Sequence, residues 1–141
     1  MFHGTAPIAA TSICKEHFQL AKAGSHAGTL YGKGLYFAAN PEKSDEYSSA
    51  DSDGLFTMLI CRVILGRINY TDQDRPNAKE LEKSCRPLNF ASGRKNMNRY
   101  QSVLGDREKC RGTFKEIVIF DDHQVYPEFI VKYSRIFEYE V

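Results

Sequence analysis

The sequence predicts one domain of the α+β class, and three observations carry that reading. The first third has helical periodicity and a helix start signal. The second half holds apolar, β-branched runs of strand length. At 141 residues the chain can remove about two-thirds of its unfolded surface from water, enough for a single core.

Each element follows from local chemistry. From Ile8 to Ala23 the positions Ile8, Ser12/Cys14, Phe18 and Ala21 roughly follow a helical period. Gly24 and Gly28 break that helix into a loop. Gly32–Ala38 reads as a brief strand entered through two glycines. Asn40-Pro41 starts the next helix. Asparagine caps it, and proline suits a first-turn position whose N–H would be unsatisfied anyway. Glu42, Asp45 and Glu46 follow where the helix dipole favours negative charge. The helix is expected over Pro41–Ala50, with Ser44 and Tyr47 on one face.

Phe56–Leu65 reads as a strand buried on both faces and ended by Gly66. Residues 67–100 are polar, with Pro76, Pro87 and Gly93, and read as a long excursion with little regular structure. Glu116–Asp121 is another strand, and Asp121-Asp122-His123 a turn. From Glu128 to Val141 the chain alternates. Phe129, Val131, Tyr133, Phe137, Tyr139 and Val141 fall on one face, with Lys132, Ser134, Glu138 and Glu140 on the other. Arg135 and Ile136 reverse the pattern, and the segment reads as a half-buried strand.

Composition excludes some classes of protein. Hydrophobic content of 42% and charged content of 26% argue against disorder. The net charge of +1 provides no general field for DNA or an anionic membrane. The longest apolar runs fall far short of the roughly 20 residues of a membrane span. No signal peptide is read at the N-terminus, and no membrane partner is expected. Cys14, Cys61, Cys85 and Cys110 are widely spaced and form no C-x-x-C. No metal site is expected on that spacing; reduced thiols and an intracellular home, nuclear or cytoplasmic, are. The basic stretch with Lys83, Arg86, Arg94, Lys95 and Arg99 could hold an acidic acceptor or nucleic-acid phosphates, although a solvated loop is the simpler reading.

Three separated motifs point to function. The first is His3-Gly4-Thr5. The second runs from Tyr31 through Gly32-Lys33-Gly34-Leu35-Tyr36-Phe37-Ala38, followed by Lys43-Ser44 and Tyr47. The third is Glu116-Ile117-Val118-Ile119-Phe120-Asp121 with Gln124-Val125-Tyr126-Pro127-Glu128. In this order they resemble the catalytic domain of the poly(ADP-ribose) polymerase family, the diphtheria-toxin-like ADP-ribosyltransferases. The resemblance runs from His3 to about Arg135.

The resemblance implies two packed, antiparallel-rich sheets around an NAD cleft, with a few short helices. The family's first strand lies ahead of its His motif, so residues 1–141 are expected to be an N-terminally incomplete catalytic domain. The resemblance maps a His–Tyr–Glu triad onto His3, Tyr36 and Glu116. It implies that His3 bonds the adenosine ribose of NAD⁺ and that Gly4, with Thr5 beside it, and Ser44 grip the nicotinamide carboxamide. Tyr36 and Tyr47 would sandwich the nicotinamide ring, and Glu116 would bind the nicotinamide ribose. NAD⁺ would serve as co-substrate, with protein acceptors as partners. No metal would be required.

Residue chemistry suits these roles. Breaking the glycosidic bond of NAD⁺ leaves positive charge on the ribose, as in glycoside hydrolysis. A carboxylate beside it stabilises that charge and can orient or deprotonate an acceptor. Tyrosine faces attract a flat cation. Two other functions stay open. A catalytically silent module could keep the cleft for protein contacts. An RNA 2′-phosphotransferase of related fold also opens with His-Gly, but it would lack the tyrosine–serine–tyrosine clamp. Among ADP-ribosyltransferases, single-unit transfer and chain polymerisation are both compatible with Glu116.

Overall fold

A computed structural model describes residues 1–23, 29–85 and 99–136. Among the described residues, seven strands form two sheets. The first is antiparallel and ordered β1-β3-β7, from β1 (Phe2–Gly4), β3 (Phe56–Val63) and β7 (Val125–Tyr133). The second is ordered β2-β6-β5-β4, from β2 (Leu35–Phe37), β6 (Lys115–Ile119), β5 (Ser102–Asp106) and β4 (Ile68–Thr71). Among the described strands only β4 and β5 run parallel. The sheets touch where Phe2 and Ala38 exchange backbone hydrogen bonds of 2.8 and 3.0 Å.

The described residues also form four short helices: α1 (Pro7–Glu16), α2 (Pro41–Asp45), α3 (Ala78–Ser84) and α4 (Arg107–Arg111). Among the described residues no helix is long and apolar enough to cross a membrane. The main core joins α1 to both sheets through Ala10, Phe18, Phe37, Leu59 and Ile119. A second cluster, with Tyr31, Val103, Val118 and Phe120, backs the four-stranded sheet. Burial of this kind, at about 25 cal/mol per Å² of apolar surface, is the main force holding the fold.

Several expectations are corrected. The first helix ends at Glu16, not Ala23, and Leu20–Lys22 form a separate 3₁₀ turn. The break is at His17, whose φ of 63° turns the chain so that Phe18 enters the core. Gly24 and Gly28 lie outside the described residues. The second helix ends at Asp45 rather than Ala50, though Asn40 accepts from the Glu42 N–H at 2.8 Å as its capping chemistry predicts. The excursion from 67 to 100 carries β4 and α3, because parallel pairing with β5 and the Asn77 cap override its polar composition. In that stretch Arg86, Arg94 and Lys95 lie outside the described residues.

The last strand is also different. β7 begins at Val125, and Pro127 is accommodated at a register shift opposite Ile60 and Cys61. Phe129 and Val131 were expected on a buried face but are exposed, as is Ile130 between them. Among the described residues, β7 pairs only with β3. Phe137, Tyr139 and Val141 lie outside the described residues. All four cysteines carry free thiols, and burial pushes the Cys61 thiol up to about 12.

Candidate active site

The residues singled out by the sequence converge on one cleft of about 770 Å³. His3, Gly4, Thr5, Tyr36, Ser44, Tyr47 and Glu116 all line it. Such a volume lies within the range of small-molecule and cofactor sites.

Gly4 explains how two of these residues meet. A Cβ there would lie 1.6 Å from the Ser44 carbonyl oxygen. Only glycine therefore lets β1 lie against the backbone of α2. The contact brings the Gly4 peptide beside the buried Ser44.

His3 is locked from behind. Its Nδ1 lies 2.8 Å from the Tyr36 carbonyl oxygen, which can only accept, so Nδ1 carries a proton. Its ring packs edge-on to Phe18, with centroids 5.0 Å apart. Burial pushes its pKa below the usual histidine value, although the bond to Tyr36 works the other way. In the neutral imidazole Nε2 is then an acceptor, the form suited to a sugar hydroxyl.

Tyr36 sits on β2 with its hydroxyl turned into the preceding loop. It donates to the Gly32 carbonyl at 2.9 Å and accepts from the Tyr31 N–H at 3.0 Å. Burial first, and Glu116 second among the groups that raise it, hold the Tyr36 phenol well above its ordinary pKa. Tyr47 follows α2 and donates to Glu116 Oε1 at 3.3 Å. Burial and the Glu116 charge raise its pKa too, so both tyrosines stay protonated at neutral pH.

Glu116 opens the buried part of β6 and is only 5% exposed. A strand-initial glutamate is more often solvated; here the strand start lies in the cleft wall. Burial raises its pKa, while Lys43 and the Tyr47 hydrogen bond work toward the charged form. The Lys43 Nζ lies 3.7 Å from Glu116 Oε1 and 2.5 Å from Glu46 Oε2. Burial disfavours the Lys43 ammonium, but its hydrogen bond to Glu46 and the charge of Glu116 outweigh this and raise its pKa.

Lys43 is a cleft-lining side chain, paired with Glu116, that residue-by-residue reading passed over. The available signal was its place one residue before Ser44. Arg75, Arg107 and Arg111 were passed over as well. They line a second cavity of about 430 Å³, which shares Tyr36, Lys43, Tyr47 and Glu116 with the first. Elsewhere, ligand atoms of Asp121, Asp122 and His123 lie within 4.8 Å of one another. Asp121 already accepts from the His123 backbone and ring, so turn formation accounts for that group.

Two sheets, a few short helices and a cleft lined by His3, Tyr36 and Glu116 agree with the ADP-ribosyltransferase fold that the resemblance implied. The sequence matches the family described as Poly(ADP-ribose) polymerase catalytic domain over residues 1–135. The chain belongs to that family.

It is 34% identical over 136 residues to the Homo sapiens protein mono-ADP-ribosyltransferase PARP12, covering 95% of this chain and 17% of that protein. It is 30% identical over 139 residues to the Mus musculus protein mono-ADP-ribosyltransferase PARP10, covering 96% of this chain and 13% of that protein. It is 25% identical over 156 residues to the Caenorhabditis elegans poly [ADP-ribose] polymerase tankyrase, covering 95% of this chain and 7% of that protein. The chain thus spans less than a fifth of each of these relatives.

Proposed function

We propose that this chain is an NAD⁺-consuming ADP-ribosyltransferase that moves ADP-ribose to protein acceptors and releases nicotinamide. The observation that carries the reading is convergence. His3, Tyr36 and Glu116 meet in one cleft, in a chain of this family.

The chain's own groups suit each step. Neutral His3 offers Nε2 to a hydroxyl of the adenosine ribose. Gly4 and Ser44 offer backbone and hydroxyl groups to the carboxamide, with Thr5 beside them. Tyr36 and Tyr47 offer aromatic faces to the cationic nicotinamide ring. As the C1′–N bond breaks, nicotinamide leaves with the electron pair and positive charge grows on the ribose. The Glu116 carboxylate is placed to steady that charge in a site drier than bulk water. A protic acceptor then forms the new bond at C1′ and passes its proton to Glu116, whose raised pKa makes it a better base than an ordinary carboxylate.

The names of the mammalian relatives support single-unit transfer as a second reading of product length. Four free thiols suit a reducing compartment, nuclear or cytoplasmic.

The test is incubation with NAD⁺ labelled in its adenylate, wild type beside Glu116→Gln, with protein-bound label and free nicotinamide both measured. The proposal expects both signals from the wild type and a large loss of both in the variant. A folded wild type that releases no nicotinamide would support the silent module instead.

A further inference from the structure

Two residues at the end of β7 grip α2, the helix that carries Ser44. The Tyr133 hydroxyl donates to Asp45 Oδ1. Just beyond the strand, Arg135 Nε lies 2.9 Å from Asp45 Oδ2, and a terminal guanidinium nitrogen donates to the Asp45 backbone carbonyl at 3.0 Å. The guanidinium also lies 3.9 Å over the Phe56 ring, which packs on Tyr133 with centroids 5.7 Å apart. Asp45 is thus held by its side chain and its main chain at once. Arg135, where the alternation of the last segment reverses, is the residue that makes both contacts.

α2 needs outside support. It has five residues, too few to persist on its own hydrogen bonds. Asn40 caps its start, and a cation on a last-turn carbonyl suits the negative end of the helix. Asp45 lies between buried Ser44 and Tyr47, whose N–H returns to the Ser44 carbonyl at 3.1 Å. A shift of Asp45 therefore moves the two residues proposed to hold the nicotinamide. The Asp45 and Arg135 side chains are 28% and 34% exposed, so water screens this pair less than a fully solvated one. Asp45, Tyr133 and Arg135 are not among the described residues that line either cavity. Any influence they have on the reaction passes through α2.

We propose that Tyr133 and Arg135 are positioning residues for the nicotinamide half of the cleft. Their hold on Asp45 keeps Ser44 and Tyr47 in place and leaves the adenosine half, around His3 and Phe18, untouched. The inference rests on the transferase reading and adds residues from outside the cleft. With the hold broken, α2 spends part of its time out of place, and apparent affinity falls to the fraction still in place. The loss of one charge-assisted contact is worth about tenfold. That loss falls on nicotinamide and not on ADP-ribose, whereas a general loosening of the fold would weaken both.

The test uses the whole chain and nicotinamide release from NAD⁺, with nicotinamide and ADP-ribose each added as a competing ligand. Arg135→Gln and Asp45→Asn are each expected to raise the inhibition constant of nicotinamide about tenfold, while that of ADP-ribose stays within about twofold. The two substitutions together should cost little more than either alone, because they break the same contact. Tyr133→Phe removes a single oxygen and should give a smaller change in the same direction. It carries the test if the Arg135→Gln chain does not fold. Lys132→Gln breaks the Asp51 pair on the same strand and should change neither constant. Unchanged nicotinamide inhibition in a folded variant, parallel weakening of both ligands, additive losses in the double variant, or an equal effect of Lys132→Gln overturns the proposal. A wild type that releases no nicotinamide defeats the transferase reading and this inference with it. A wild type that turns over normally beside unaffected variants defeats this inference alone.

Discussion

Replacing Lys43 with methionine should move the acid limb of activity to higher pH. Lys43 Nζ lies 3.7 Å from Glu116 Oε1, and its side chain is only 14% exposed. Coulomb's law gives about 4.5 kcal/mol at that distance with an effective dielectric of about 20. Glu46 shares the ammonium at 2.5 Å, and water reaches that side, so roughly a third of the attraction is taken to act on Glu116. That share, about 1.5 kcal/mol, corresponds to about one pH unit. The sign follows directly. Burial raises the Glu116 pKa and Lys43 opposes it, so removing Lys43 raises it further. Methionine keeps most of the side-chain length, which limits repacking. The assay is kcat/KM for nicotinamide release as a function of pH, whose acid limb reports the essential carboxylate of the free enzyme. An upward move of about one unit is expected, and Lys43→Arg should hold the limb near its original place. A limb that stays put, or moves down, would refute the assignment of Lys43 as the group that keeps Glu116 charged.

Three more outcomes follow from the same geometry. Gly4→Ala forces a methyl into the Ser44 carbonyl, so stability should fall by about 2 kcal/mol or more and NAD⁺ should bind more weakly, read by urea unfolding and by KM. Phe18→Ala removes a ring that packs on both His3 and Phe37 and should cost about 3–5 kcal/mol, read the same way. His3 titrates below its unfolded value of 6.5. The unfolded chain therefore takes up that proton first as pH falls, and stability that is complete above 6.5 is lost toward the lower folded pKa. His3→Asn should remove this part of the slope, measured as the urea midpoint of wild type and variant between neutral and mildly acidic pH. Equal slopes in the two chains would contradict the buried, neutral histidine.

The site was more legible in the sequence than the fold around it. His3, Tyr36 and Glu116 could be picked out because the separated motifs that carry them resemble, in their order, those of a known family. The long buried strand was equally clear, because branched apolar residues fill Phe56–Val63. β5 and α4 were missed for a physical reason. Five residues each, with Gly105 inside one and charged side chains filling the other, give no period to read. α3 did carry a signal, Asn77 followed by Glu80, but its polar neighbours hid it. In β7 alternation named the face of Phe129 and Val131 correctly as apolar. Periodicity cannot say whether anything covers that face, and both side chains are exposed. The second cavity was invisible for a similar reason. Arg75 and Arg107 are far apart in sequence and become neighbours of Glu116 only through the parallel β4–β5 pairing and the ion pairs beyond it.

The central claim is that a buried carboxylate on β6 steadies the sugar as its base departs. Its most direct test is the turnover number for nicotinamide release from wild type and Glu116→Gln, with NAD⁺ affinity measured separately on both chains. The account predicts a fall in kcat of about 10²–10³ with affinity changed only slightly, because the interaction belongs to the transition state. Equal turnover at equal affinity would contradict it.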